Sequence, residues 1–147
     1  MLNRTRRGSI LEALTDKLKT ISYANGYSTD LAQQAYPRMR FWDEIAEFPC
    51  VCIAAGQETI VHQGGGFKDR YLDIILRAYV NEEESIVALE RLLEDIEIII
   101  DNNGRLAYLD SSGNSGTTRD IIITLIDTDQ GTLSPIGVGE MTLQVKY

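Results

Sequence analysis

Apolar residues recur at three- and four-residue steps at Leu11, Leu14, Leu18 and Ile21, which is the stripe of an amphipathic helix. Ser9-Ile10-Leu11-Glu12 reads as a capping box at its start, and Asn25-Gly26 as its stop. A loose alternation from Tyr36 to Trp42 predicts an edge strand followed by a polar turn. Cys50 to Ala55 is a short apolar run that reads as a buried strand, with Pro49 just before it. From Asp69 the alternation is the clearest in the chain: Leu72, Ile74, Leu76, Ala78 and Val80 against Tyr71, Asp73, Arg77 and Tyr79. Residues 56–66 between the two runs are polar and end in three glycines, so the two strands are expected to form a hairpin closed by a long loop.

Asn81, with Glu84 three residues on, is expected to cap a second helix whose apolar stripe is Ile86, Leu89, Leu93, Ile96 and Ile100, widened by Leu92 and Ile99. Asn102-Asn103-Gly104 ends it. A short strand is expected around Leu106 to Leu109, then a mobile loop over residues 110–118, which contain no apolar anchor. Ile121 to Ile126 reads as a near-continuous apolar strand, Thr128 to Gly131 as a turn, and Val138 to Tyr147 as a last strand alternating Met141, Leu143, Val145 and Tyr147 with polar residues. Helix, strands, helix, strands, with short connections between neighbouring strands, points to an α+β fold: a mainly antiparallel or mixed sheet with both helices on one face. The other sheet face carries Tyr, Asp, Arg, Thr and Gln and is expected to be wet or covered by a neighbour.

Composition narrows the function. The 147 residues, 44% of them hydrophobic, suit one domain with its own core. The formal charge of −8 argues against general binding of nucleic acid or an anionic membrane. No window approaches the ~18 to 20 apolar residues of a membrane span. The charge is uneven: Arg4, Arg6 and Arg7 make residues 1–8 a basic arm, whereas Glu82 to Asp101 holds eight acids against Arg91 alone, a net −7. At 100° per residue Glu83, Glu90, Glu94, Glu97 and Asp101 form one stripe beside the apolar face of the second helix. Like charges at those steps cost a few tenths of a kcal/mol per pair. The stripe is either a solvated face that keeps the protein soluble or a surface that meets a partner or lines a pore.

Catalytic chemistry finds little footing. His62 is the one histidine, in the glycine-rich segment, with no nucleophile placed beside it by any local signature. Cys50 and Cys52 share a strand face but lack the further ligands of a closed zinc site, so they read as small buried thiols in a reducing compartment. Gly64-Gly65-Gly66 precedes a strand rather than a helix, which suits a turn and not a phosphate cradle. Asp127-Thr128-Asp129 has the two-carboxylate look of a divalent-metal site, the basis of a remote reading as a small metal-dependent hydrolase; it equally suits a turn. No enzyme, cofactor or metal is expected.

An ordered set of segments carries a resemblance: Arg4-Thr5 with Ser9-Ile10, Glu44-Ile45-Ala46-Glu47-Phe48-Pro49, Gly56-Gln57-Glu58-Thr59, Leu89 to Ile96, Asp101 to Gly104 with Tyr108, Thr128 to Gly137, and Val145-Lys146-Tyr147. Over nearly the full chain this resembles the tail terminator of long, flexible-tailed (siphovirus-type) bacteriophages. The resemblance implies a structural virion protein of tail-tube-like fold. It implies a homo-hexameric ring that caps the tail tube at its head-proximal end, assembled in the host cytoplasm. Tube protein and a head–tail connector protein are the implied partners, and DNA passes through the ring without being read. Candidate contact surfaces are then the hairpin segment with Gln57, Glu58, His62, Gln63, Gly64, Gly65 and Gly66, the basic arm with Arg4, Arg6 and Arg7, and the acidic stripe, facing either the lumen or the next subunit. Another neck protein, such as a head-closure or connector subunit, is the alternative of the same class.

Overall fold

A computed structural model describes residues 5–110 and 112–147. Helix α1 (Arg6–Leu18) begins earlier than the capping box suggests. Thr5 is the cap, its hydroxyl accepting from the Gly8 amide at 3.0 Å, while Ser9 is buried inside the helix. Arg6 and Arg7 therefore belong to the first helical turn and are not a free arm; Arg4 lies outside the described residues. After Leu18 the chain leaves the helix, and Ile21, fully buried, pins it to the core before a turn at Tyr23–Asn25.

Five strands form the main sheet in the order β1-β2-β3-β7-β6: β1 (Ala35–Tyr36), β2 (Cys50–His62), β3 (Lys68–Asn81), β6 (Asp120–Thr128) and β7 (Ile136–Lys146). The β1–β2 pair is parallel and the others are antiparallel. The expected edge strand near Tyr36 shrinks to two residues beside Val51 and Cys52. The expected 56–66 loop is strand as far as His62. After a bulge between Ala55 and Glu58, residues Glu58 to His62 pair with Leu72 to Lys68. Alternation fails as a signal there because residues 59–62 are exposed on both faces of the ladder. The turn is Gln63 to Phe67, where Gly65 and Gly66 hold φ of 76° and 84°, a region that glycine enters without strain.

Helix α2 (Ser85–Asn102) starts four residues after Asn81, which remains in β3 opposite Ile136 and does not act as cap. Leu89, Leu92, Leu93, Ile96, Ile99 and Ile100 are buried as expected, but Ile86, at the exposed start, is not. Both helices pack on one face of the sheet, where Ile10, Leu14 and Leu18 of α1 join the α2 stripe over Val51, Ile53, Leu72, Ile74, Leu76, Met141, Leu143 and Val145. Full burial of one such side chain contributes roughly 1.5 to 3 kcal/mol, so this layer dominates stability. The opposite face is covered only at one corner, where the 36–48 segment packs Ile45 against Cys50, Cys52 and Tyr79.

Residues 110–118, expected as a mobile loop, carry a strand. Beyond α2, β4 (Ala107–Leu109) and β5 (Ser115–Thr117) pair as a separate small hairpin. The buried Thr118 hydroxyl accepts from the Leu106 amide and donates to the Gly104 carbonyl, both at 2.8 Å, which locks that hairpin to the end of α2.

Candidate assembly surfaces

The β2–β3 hairpin outruns the sheet. β7, the neighbour of β3, ends where Lys146 faces Tyr71 and the Tyr147 amide reaches the Arg70 carbonyl, so the ladder from Val61 to Lys68 stands alone. Ile60 and Val61 are exposed on this arm, and Phe67 at its tip is 73% exposed. Gln57, His62, Gln63 and the three glycines are also exposed on this arm, in strand and tight turn and not in a long loop.

The base of the arm is braced. Arg70 reaches the Glu58 carboxylate at 2.8 Å, and the Tyr147 phenol donates to the other Glu58 oxygen. Arg6 lies 4.7 Å over the Tyr147 ring and bonds the Tyr108 hydroxyl, and the Arg7 guanidinium donates to the Gly56 carbonyl at the bulge. Glu58 and the two arginines, expected as contact residues, thus hold the arm in place. Burial, reinforced by the bond to Glu58, pushes the Tyr147 phenol up to about 12.

At the far edge, β6 departs from what its apolar run suggests. Ile121 is buried, but Ile122 is 45%, Leu125 60% and Ile126 43% exposed, and among the described residues no strand lies beyond β6. Ile122 and Leu125 pair with Gln144 and Thr142 on the face away from the helices, whereas Ile126 pairs with Met141 on the helix side. Above this edge Glu90, Glu94 and Glu97 of α2 line a groove with Leu93 and Ile126. The three carboxylates of the expected stripe are therefore together and exposed. Glu83 precedes the helix and Asp101 lies in its last turn. Sequence periodicity missed the exposed β6 residues, since an apolar run looks the same for a strand buried by its own chain and for one waiting for another.

Asp95, an acid of the same helix, is buried and turned inward, accepting from the Ser28 amide at 3.3 Å and from the Thr29 amide and hydroxyl at 2.8 and 2.5 Å. It is a structural acid that ties the loop after α1 to α2.

The chemical candidates stay apart. Asp129 is consumed by its turn, accepting from the Leu133 and Val138 amides, while Asp127 bonds the Thr128 amide. Among the described residues no group of three or more His, Cys, Asp and Glu side chains is placed to hold a metal. Cys50 and Cys52 are buried with their sulfurs 4.0 Å apart, and that contact together with burial pushes the Cys50 thiol up, away from the reactive thiolate. His62 is exposed near the hairpin end.

Residues 4–147 match the family model described as Bacteriophage Tail Tube Terminator Protein. The chain is 32% identical over 153 aligned residues to the tail tube terminator protein p142 of Escherichia phage T5, covering 96% of this chain and 92% of that one. Its fold is similar to a chain of the virion of a native gene transfer agent particle, with a TM-score of 0.63 at 8% identity, covering 95% and 94% of the two chains.

Proposed function

The chain belongs to the bacteriophage tail tube terminator family, a family of structural proteins and not of enzymes, and from that premise we propose that its copies close into a ring that caps the tail tube and ends its elongation. The ring is a homo-hexamer at the head-proximal end of the tail. One side seats on tube protein, the other receives the head–tail connector, and DNA passes through the lumen unread. Assembly takes place in the host cytoplasm.

The observation that carries this reading is an unfinished sheet. Among the described residues its β6 edge is unpaired and apolar, and most of the face opposite the helices is uncovered. Edges of this kind are normally short, charged or covered in proteins that act alone. A ring closed edge to edge supplies the cover. In such a ring the bulky helical layer belongs on the outside, where the circumference is larger, and the open sheet face turns to the lumen. On that face Arg77 pairs with Glu140 at 3.0 Å and Arg119 with Asp69 at 3.1 Å, and Asp73 and Asp127 add further acid, which suits a wall that DNA slides past without sticking. The acidic flank of α2 then lies at the border between subunits and not in the pore. The projecting β2–β3 arm is the contact to the tube.

Polymerisation of the cognate tube protein with and without this chain tests the reading. Shorter, capped tubes and free rings in electron micrographs are expected. A strictly monomeric protein at all concentrations, with no effect on tube length, overturns it.

A further inference from the structure

We propose that β6 of one copy pairs antiparallel with the free stretch of β2 of the next, and that the acidic flank of α2 enforces this by opposing β6–β6 pairing. The proposal rests on the ring reading above and names the seam. Among the described residues β1 covers β2 only at Val51 and Cys52, which leaves Ile53 to His62 with no strand on the outer edge. Followed across the ladders, Ile126, Met141, Leu76 and Ile53 form one row, and Ile121, Val145, Leu72 and Glu58 another. The open parts of the two edges therefore stand at the same height. β2, β3, β7 and β6 alternate in direction, so β6 runs opposite to β2. A second copy in the same orientation continues the antiparallel sheet, a head-to-tail contact of the kind that closes rings.

An exposed apolar edge has a competing solution, pairing with its own copy about a two-fold axis. Such a dimer keeps the helices on one side of the joined sheet and brings two copies of Glu90, Glu94 and Glu97 together over the seam. Like charges brought within the ~8 Å screening length of physiological salt repel one another. The β2 edge instead presents Arg7, whose guanidinium lies on the Gly56 carbonyl of that edge. The stripe thus meets a cation in the head-to-tail seam and six like charges in the two-fold one. It selects the partner edge, a role that accounts for a helix face otherwise costly to itself.

Cysteine trapping in the full chain, assembled with tube protein, tests the seam. Leu125→Cys is made alone and with Ala54→Cys, Thr59→Cys or Val61→Cys, all on the face away from the helices. The unsubstituted chain is the control, since Cys50 and Cys52 are buried. After oxidation a ladder of covalent multimers is expected from at least one double variant, and monomer from Leu125→Cys alone. On a background of Glu90→Gln, Glu94→Gln and Glu97→Gln, Leu125→Cys alone is expected to give covalent dimer. Dimer from Leu125→Cys with the glutamates intact overturns the seam, as do rings visible in micrographs that no double variant cross-links. Dimer absent from the triple-glutamine background overturns the selecting role of the stripe. If no rings and no ladder form, the ring reading itself fails along with the seam.

Discussion

The phenol of Tyr147 donates to the carboxylate of Glu58, 89 positions earlier, and so ties the last strand to the base of the projecting hairpin. Glu58 also holds Arg70, and Tyr147 also carries Arg6 on its ring, so one cluster joins α1, β2, β3 and the chain beyond β7. The cluster sits at the base of the hairpin arm.

Tyr147→Phe is expected to weaken the fold by about 1 kcal/mol at neutral pH, the net worth of one hydrogen bond. It also changes the alkaline behaviour. Burial raises the folded phenol from its ordinary 10.0 to about 12. Because the folded value is the higher, its contribution is complete below about pH 10 and disappears as the pH climbs towards 12. Urea unfolding at a series of pH values is expected to show a shallower alkaline decline for Tyr147→Phe than for the parent. Equal slopes would mean that the phenol is not linked to folding.

Asp95→Ala is expected to cost about 2 to 4 kcal/mol, since it leaves the Ser28 and Thr29 amides without their acceptor beside a buried helix face. Thermal unfolding measures the loss. A change within a few tenths of a kcal/mol would show that the loop finds another partner or water.

Gly137→Ala is expected to destabilise by about 1 to 3 kcal/mol through overpacking. An added Cβ would lie 2.7 Å from Val80 Cγ2 and 3.2 Å from the Ser85 carbonyl oxygen, and the latter, being backbone, cannot step aside. Denaturant midpoints compare the two proteins, and an unchanged midpoint would contradict the packing described.

Replacing Phe67 and Val61 by Ser at the hairpin tip is expected to leave the melting temperature nearly unchanged, because both side chains are exposed, while weakening attachment to the tube. Co-sedimentation with tube protein reads the effect. Full retention of binding would move the tube contact to another surface.

Much of the architecture was legible because its signals are local and periodic. The alternation from Leu72 to Val80 and from Met141 to Tyr147 reports strands with one buried face, and the α2 stripe reports a helix. Misreadings arose where tertiary context decides. Asn81 is a good cap by type, yet the ladder to Ile136 holds it in β3. Thr59 to His62 lack an apolar rhythm because the hairpin is exposed on both faces there, and pairing alone makes them strand. The acidic flank was visible from 100° geometry, but its place beside Ile126 required the chain to bring β6 under α2. The Tyr147–Glu58 brace joins residues too distant in sequence for any local pattern to pair.

Imaging of assembled phage tails carrying a label on this chain bears most directly on the central claim. A closed ring of the protein at the head-proximal end of the tube is predicted, with tubes growing past their normal length when the protein is withheld. Label spread along the tube, or tubes of normal length formed without it, would contradict the account.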